Sequence, residues 1–361
     1  MRGSGMLCSC LAHLPFSGRC VFMQEQIRMK HGGNVWDGGR PDAWTDFSAN
    51  LRPEGMPEWV KQVLAESLDS VRYYPDRTME LATRGIAQYA GLPEECILPT
   101  AGGAAAIDLV IGDGVGRVVV KQPTFGEYTE RAAANGRTVV ADNSHYLAGD
   151  TVIRCNPNNP TGEALTKAEI LRLFEEARRA DAELMVDEAF ADFFPRISVK
   201  KEVRSGLTVV GSLTKVLGIP GVRLGYVCAS PEKILRLRQK VLPWGISTFA
   251  SSVAAELPKH LEEIAQDQKI NEIRREAMKR ELESIGIEVY PSSANFLLCR
   301  FPFDTSCLVE LLRKRCMLVR TCESFGLDAG YLRIAVKTQE QNGELIRIMK
   351  HWLEKGKEEL I

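Results

Sequence analysis

Across 361 residues, 46 basic side chains face 47 acidic ones. That near-neutrality excludes a global field for nucleic acid or an anionic membrane and leaves any anion recognition to local groups. A chain this long buries a large core and is expected to divide into two unequal lobes, and its ten cysteines, scattered among ordinary strand and helix sequence, suit a reducing cytoplasm better than a disulfide scaffold.

Residues 1–29 carry little pattern. Met6 to Phe16 is mildly apolar, but His13 and Pro15 interrupt it and one arginine precedes it, so it reads neither as a secretion signal nor as a membrane span. Cys8, Cys10 and Cys20 have no plausible metal-binding partner beyond His13; no metal site is expected, and the stretch is read as a disordered extension. Residues 30–53 follow, with His31-Gly32-Gly33-Asn34 and Asp46-Phe47-Ser48-Ala49-Asn50 as their polar features. Glycines after His31 would let backbone amides approach an anion closely.

Residues 54–247 read as one large α/β domain. From Gly116 to Cys228 short β-branched runs alternate with helical stretches, the pattern of a mainly parallel sheet with crossover helices. Strands are expected over 117–121, 138–141, 152–155, 183–187, 207–211 and 224–228. Ligands gather at the carboxyl ends of strands in such sheets, which predicts that Asn159, Asp187 and Lys215 converge. In residues 248–361, helical spacing from Thr248 to Ile285, through Ile264, Ile270, Ile273 and Met278, predicts one long helix leading to a smaller α+β domain. That domain is expected to hold strands over 296–299, 317–320 and 331–336.

Several residues carry chemistry. Lys215, between the apolar run Leu207 to Gly211 and a Gly/Pro-rich turn, is badly placed for solvation but well placed to bond an aldehyde cofactor. Asp187 ends the run Leu184-Met185-Val186, a costly place for a carboxylate unless a cation meets it or it caps the next helix. Asn159, before Pro160, offers a side-chain amide to a ligand or simply holds a turn. Thr100 to Ala106 could set a helix N-terminus beneath a phosphate, with the amides of Gly102, Gly103 and Ala104 as donors. Arg333, in an alternating apolar strand, wants an anionic partner; Arg320 is similarly placed, and the two read as an anion clamp or as salt bridges at a lobe edge. His31, Gly32, Asn34 and Asn50 would add neutral donors.

On Asn158-Asn159-Pro160-Thr161-Gly162, Asp187-Glu188-Ala189-Phe190, Ser212-Leu213-Thr214-Lys215 and Arg223, the chain resembles the fold-type I aminotransferase superfamily of pyridoxal 5'-phosphate (PLP) enzymes. The likeness runs from about Met29 to the C-terminus. It narrows, through His31-Gly32-Gly33-Asn34, Asp46 to Asn50, Arg72-Tyr73-Tyr74-Pro75-Asp76 and Pro243-Trp244, to the threonine-phosphate decarboxylases of cobalamin biosynthesis and the neighbouring histidinol-phosphate aminotransferases. The resemblance implies a seven-stranded, mainly parallel sheet with a smaller C-terminal α+β domain, and an N-terminal segment close to the site. Lys215 would bond PLP, Asp187 would meet its ring nitrogen, Asn159 its ring oxygen, and Phe125 would stack on the ring. Ser212 and Arg223 would join the glycine loop in holding the phosphate. It also implies a homodimer in which Tyr74 crosses to the partner's phosphate, although a buried structural tyrosine is the competing reading. Where many relatives have a tyrosine three residues after the aspartate, this chain has Phe190, which fits the decarboxylases better.

The implied reaction is decarboxylation of L-threonine O-3-phosphate to (R)-1-aminopropan-2-yl phosphate in the cytoplasm. Histidinol-phosphate amino transfer is the second reading. A non-catalytic PLP-binding regulator is a third, but it would need a DNA-binding module ahead of the domain where only about thirty weakly patterned residues stand. A nucleotide-binding protein is weaker still, because the glycines near Gly102 do not form G-x-G-x-x-G. The one-methyl difference between threonine phosphate and serine phosphate stays open, at about 1 to 3 kcal/mol of pocket discrimination.

Overall fold

A computed structural model describes residues 32–38, 40–143 and 145–358. His31 and the cysteines near the start therefore lie outside the described residues. The strands are β1 (Thr45–Asp46), β2 (Ile97–Thr100), β3 (Val118–Val120), β4 (Val139–Ala141), β5 (Thr151–Cys155), β6 (Glu183–Asp187), β7 (Leu207–Ser212), β8 (Gly225–Cys228), β9 (Glu288–Val289), β10 (Phe296–Arg300), β11 (Met317–Leu318), β12 (Arg320–Thr321) and β13 (Tyr331–Ala335).

The seven-stranded sheet has the order β2-β8-β7-β6-β5-β3-β4. Pairings from β4 through β7 are parallel, while β8 runs antiparallel to both β7 and β2. β6 and β7 are buried almost throughout, as expected of strands covered on both faces, whose sequence then reads as a continuous apolar run without alternation. The expected strands appear within one or two residues of their predicted limits. β2 was not anticipated, because Ile97-Leu98-Pro99-Thr100 carries a proline that normally demotes a strand; here it is tolerated because β2 is the edge strand.

Two expectations about the C-terminal part need correction. The long helix is broken: Thr248–Glu256 ends in a single 3-10 turn at Leu257–His260 before Leu261–Ser284 begins. Pro258 is the second residue of that turn, where it can neither donate a backbone hydrogen bond nor let the preceding residue stay comfortably helical. Of the apolar residues in the second helix, Ile264 and Met278 are buried but Ile270 and Ile273 are exposed. The stripe is completed instead by Asn271 and Arg275, which reach the carbonyl of Ala294.

The expected strand over 317–320 is really two. Met317–Leu318 pairs in parallel with Thr45–Asp46, whereas Arg320–Thr321 pairs antiparallel with β13 in the four-stranded sheet β12-β13-β10-β9. The chain changes sheets at Val319, and β1 thereby fastens the N-terminal segment to the C-terminal lobe. One hydrophobic cluster centres on the large sheet and a second on Phe47, Leu297, Leu332, Ile334 and Met349. No helix among the described residues is long and apolar enough to cross a membrane.

Candidate active site

At the carboxyl ends of β5, β6 and β7 a cleft of about 590 Å³ opens between the two clusters. Asn159, Asp187, Ser212 and Lys215 all line it, as do Gly103, Ala104, Phe125, Arg223, Asn50, Gly32, Arg320 and Arg333. Asn159, Asp187 and Lys215 thus converge as the sheet topology demands, although the chain separates them widely.

Lys215 sits on the one-turn helix Leu213–Val216 that follows β7. Among the described residues its Nζ makes no hydrogen bond or ion pair; it stands 5.9 Å from the centre of the Phe190 ring. Burial, followed by the guanidinium groups of Arg333 and Arg223, brings its pKa down to about 8, with Asp187 acting in the opposite sense. A lysine amine that is partly neutral near physiological pH is a nucleophile.

Asp187 is buried at the end of β6. Burial raises its pKa, opposed by a 2.6 Å hydrogen bond from the Tyr128 hydroxyl and a 2.9 Å one from the Ala189 backbone. Among the described residues two donors and no cation are in contact with it, so a protonated heterocycle nitrogen is the complement that would hold it ionised. Tyr128 was missed at the sequence level. It lies in the first turn of the helix Glu127–Ala134, and its ring meets that of Phe125, which precedes the helix, edge-on at 5.7 Å.

The loop before the helix Gly103–Asp113 leaves room for an anion. Gly102 has φ +85, and a Cβ there would lie 2.4 Å from Arg223 Nη2; one on Gly103 would lie 3.1 Å from Ser212 Cβ. Gly102 makes no side-chain cap, so the first amides of that helix point into the cleft region without a side-chain acceptor. Ser212 shares a 2.8 Å hydrogen bond with Thr214, another lining residue that sequence reasoning passed over. Arg223 itself has φ +60, an uncommon backbone state for a side-chain-bearing residue of the kind that gathers at functional sites.

The opposite wall is cationic. Arg333 donates to Asn159 Oδ1 and to the Ser48 carbonyl, both at 2.6 Å, while its Nε has no partner among the described residues. Burial and then neighbouring Arg320 lower its pKa to about 10. Arg320 donates to Ser324 at 2.6 Å and faces the Phe325 ring at 5.3 Å. Asn50 lines the same wall with its Oδ1 unpartnered among the described residues. Of the asparagine pair, Asn158 is structural: it bridges Pro123, Thr124 and Thr161.

Asn34, Tyr74 and Gly102 are not brought into the cleft, and the expectation for His31 falls outside the described residues. Asn34 is not among its lining residues. Tyr74 is 79% exposed and stacks on Trp244 with ring centres 4.4 Å apart, so it is not a buried structural tyrosine. Gly102 lies behind the lining, where it makes space for Arg223.

Residues 43–349 match the family model described as aminotransferase class I and II. The threonine-phosphate decarboxylase of Salmonella typhimurium is 30% identical over 90% of this chain and 96% of its own length. The histidinol-phosphate aminotransferase of Caldanaerobacter subterraneus is 30% identical over 85% of this chain and 92% of its own. Among solved structures, the L-threonine-O-3-phosphate decarboxylase of Porphyromonas gingivalis superimposes with TM-score 0.78 at 26% identity, over 85% of this chain and 99% of that one.

The cofactor is pyridoxal 5'-phosphate, and the residues present fit it. Lys215 has an unengaged amine for the aldehyde, Asp187 lacks a cation that the ring nitrogen supplies, and the Gly102–Gly103 turn with Ser212 and Arg223 leaves a cradle for phosphate.

Proposed function

This chain belongs to the class I and II aminotransferase family, and from that premise we propose that it decarboxylates L-threonine O-3-phosphate to (R)-1-aminopropan-2-yl phosphate and CO2. The observation that carries the reading is the pairing of Arg320 directly opposite Arg333 on the cleft wall. Two facing guanidinium groups repel unless anions lie between or beside them, and threonine phosphate brings two anionic groups, a carboxylate and a phosphomonoester. Histidinol phosphate brings one. The 30% identity to a threonine-phosphate decarboxylase supports the same reading, and a histidinol-phosphate aminotransferase of equal identity supports the second.

When bound, PLP supplies an electron sink that stabilises negative charge at the substrate's α-carbon. Within this proposal, Asp187 keeps a proton on the ring nitrogen and Tyr128 keeps Asp187 charged. Asn159 would hold the ring oxygen, Phe125 would pack the ring face, and the Gly103 and Ala104 amides with Ser212 and Arg223 would hold the phosphate, the Gly102 N–H being taken by the Thr100 carbonyl. Arg320 and Arg333, helped by Asn50 and the Gly32 segment, orient the substrate so that the bond to its carboxylate breaks; CO2 leaves with that carbon and a proton takes its place. Lys215, with its amine near pKa 8, can carry that proton near neutral pH. The active form is a homodimer in the cytoplasm, with exposed Tyr74 reaching the partner's cofactor phosphate.

Purified protein incubated with PLP and L-threonine O-3-phosphate is expected to release CO2 and accumulate the aminopropanol phosphate. Amino transfer from histidinol phosphate to 2-oxoglutarate, without gas release, would reject decarboxylation in favour of the second reading.

A further inference from the structure

The turn from Arg52 to Gly55 lies outside the cleft but is tied to the loop that bears Lys215. The backbone N–H of Arg52 donates to the Lys215 carbonyl at 3.0 Å. Gly218 stands at φ +60, and a Cβ on it would lie 2.7 Å from the Gly55 carbonyl oxygen. The two loops therefore pack backbone against backbone, with no side chain between them to absorb a shift.

On its other side the turn is fixed by charge. Arg52 Nε and Nη2 reach the two oxygens of Asp267 at 2.6 and 3.3 Å, and its Nη1 donates to the Gly55 carbonyl at 3.0 Å. Glu263 adds a contact at 3.5 Å, and Glu54 pairs with Arg274. All three partners lie on the helix Leu261–Ser284. That helix belongs to both hydrophobic clusters, through Ile264 in the first and Met278 and Leu282 in the second.

An exposed ion pair contributes little to stability, but this one is paired at two oxygens and its side chains are only 10% and 16% exposed. Geometry of that kind fixes position more than it adds energy.

We infer that Arg52 is a positioning residue: its ion pair with Asp267 locks the one-turn helix that bears Lys215 to the helix that spans the two cores, and so fixes the place of the lysine. The inference rests on the reading of Lys215 as the residue that bonds the cofactor. Loosening the lock lets the Lys215 nitrogen drift away from Arg333 and Arg223, whose charge disfavours its protonated form.

The test uses PLP-loaded protein with Arg52→Ala, Asp267→Ala, the double variant, and the charge swap Arg52→Asp with Asp267→Arg. Two readouts are taken: the pH dependence of the absorbance of the Lys215–cofactor linkage, and kcat against KM. Arg52→Ala is expected to raise the apparent pKa of the linkage by about half a unit or more and to lower kcat about tenfold, with KM little changed. Asp267→Ala should do the same, the double variant should be no worse than either single one, and the swap should recover part of the loss. If Arg52→Ala fails to fold, Asp267→Ala and the swap carry the test. Titration curves and kcat values superimposable on the parent, or losses that add in full in the double variant, overturn the role of Arg52. A parent protein that shows no cofactor band overturns the reading of Lys215 instead, so the two failures are distinguishable.

Discussion

Arg320 and Arg333 are register partners on neighbouring antiparallel strands, both buried, with one guanidinium depressing the pKa of the other. Like charges placed opposite each other cost about 0.2 to 1 kcal/mol even when exposed, and burial makes the arrangement worse. At the wall of a cleft such a pair suits the anion binding proposed for it.

Removing one member should separate binding from stability. Arg333→Gln is expected to lower kcat/KM about ten- to a hundredfold, the value of a hydrogen bond to a charged group, while the thermal midpoint of the cofactor-free protein changes little, because relief of the repulsion offsets the lost bonds to Asn159 and Ser48. Steady-state kinetics and a melting curve check this; an unchanged kcat/KM would take Arg333 out of substrate recognition.

Lys215→Ala is expected to abolish turnover and leave PLP binding reversible, with no band that borohydride can fix to the chain. In the parent apoprotein the amine titrates near 8 and not near the usual lysine value. The rate of PLP capture should therefore rise through about pH 8 and level off above it, because only the neutral amine attacks. Stopped-flow absorbance across pH 6 to 11 measures it; a rate still climbing at pH 10 would contradict the lowered value.

Tyr128→Phe removes the hydroxyl that holds Asp187 ionised. Burial already raises the Asp187 pKa, so losing a donor raises it further. The ionised form needed for activity is lost as pH falls, and the acid limb of the kcat profile should consequently move to higher pH, with kcat at neutral pH about tenfold lower. A profile that overlays the parent would mean that the hydrogen bond does not tune the aspartate.

Gly102→Ala places a methyl group against the Arg223 guanidinium and forces an L side chain to φ +85. The expected outcome is PLP affinity weakened about tenfold or more, measured by titration of the apoprotein, because the displaced arginine and helix amides are the groups proposed to hold the phosphate. Retained affinity would move the phosphate cradle elsewhere.

Much of the site was legible because its parts are local. Asp187 ends an apolar run and Lys215 closely follows one, and a polar group in that position advertises itself without any partner in view; Asn159 stands out through the turn sequence around Pro160. Tyr128 was not legible, since its role depends on meeting Asp187, fifty-nine positions away. Ile273 misled for the opposite reason: helical spacing says that a face exists, but not that Asn271 and Arg275 line the junction between the two cores while Ile273 faces outward at 70% exposure.

The sequence by itself determined six of the seven strands of the large sheet, their order of use along the chain and the chemical groups at their ends, because those follow from short-range apolar patterning and backbone preference. Only the tertiary structure decided that the chain changes sheets at Val319, that Arg320 thereby faces Arg333, and that Arg52 reaches from the N-terminal segment to Asp267. Such pairings are long-range: register and partner are chosen by the packing of whole lobes against each other, a cost and a gain that no local window of residues contains.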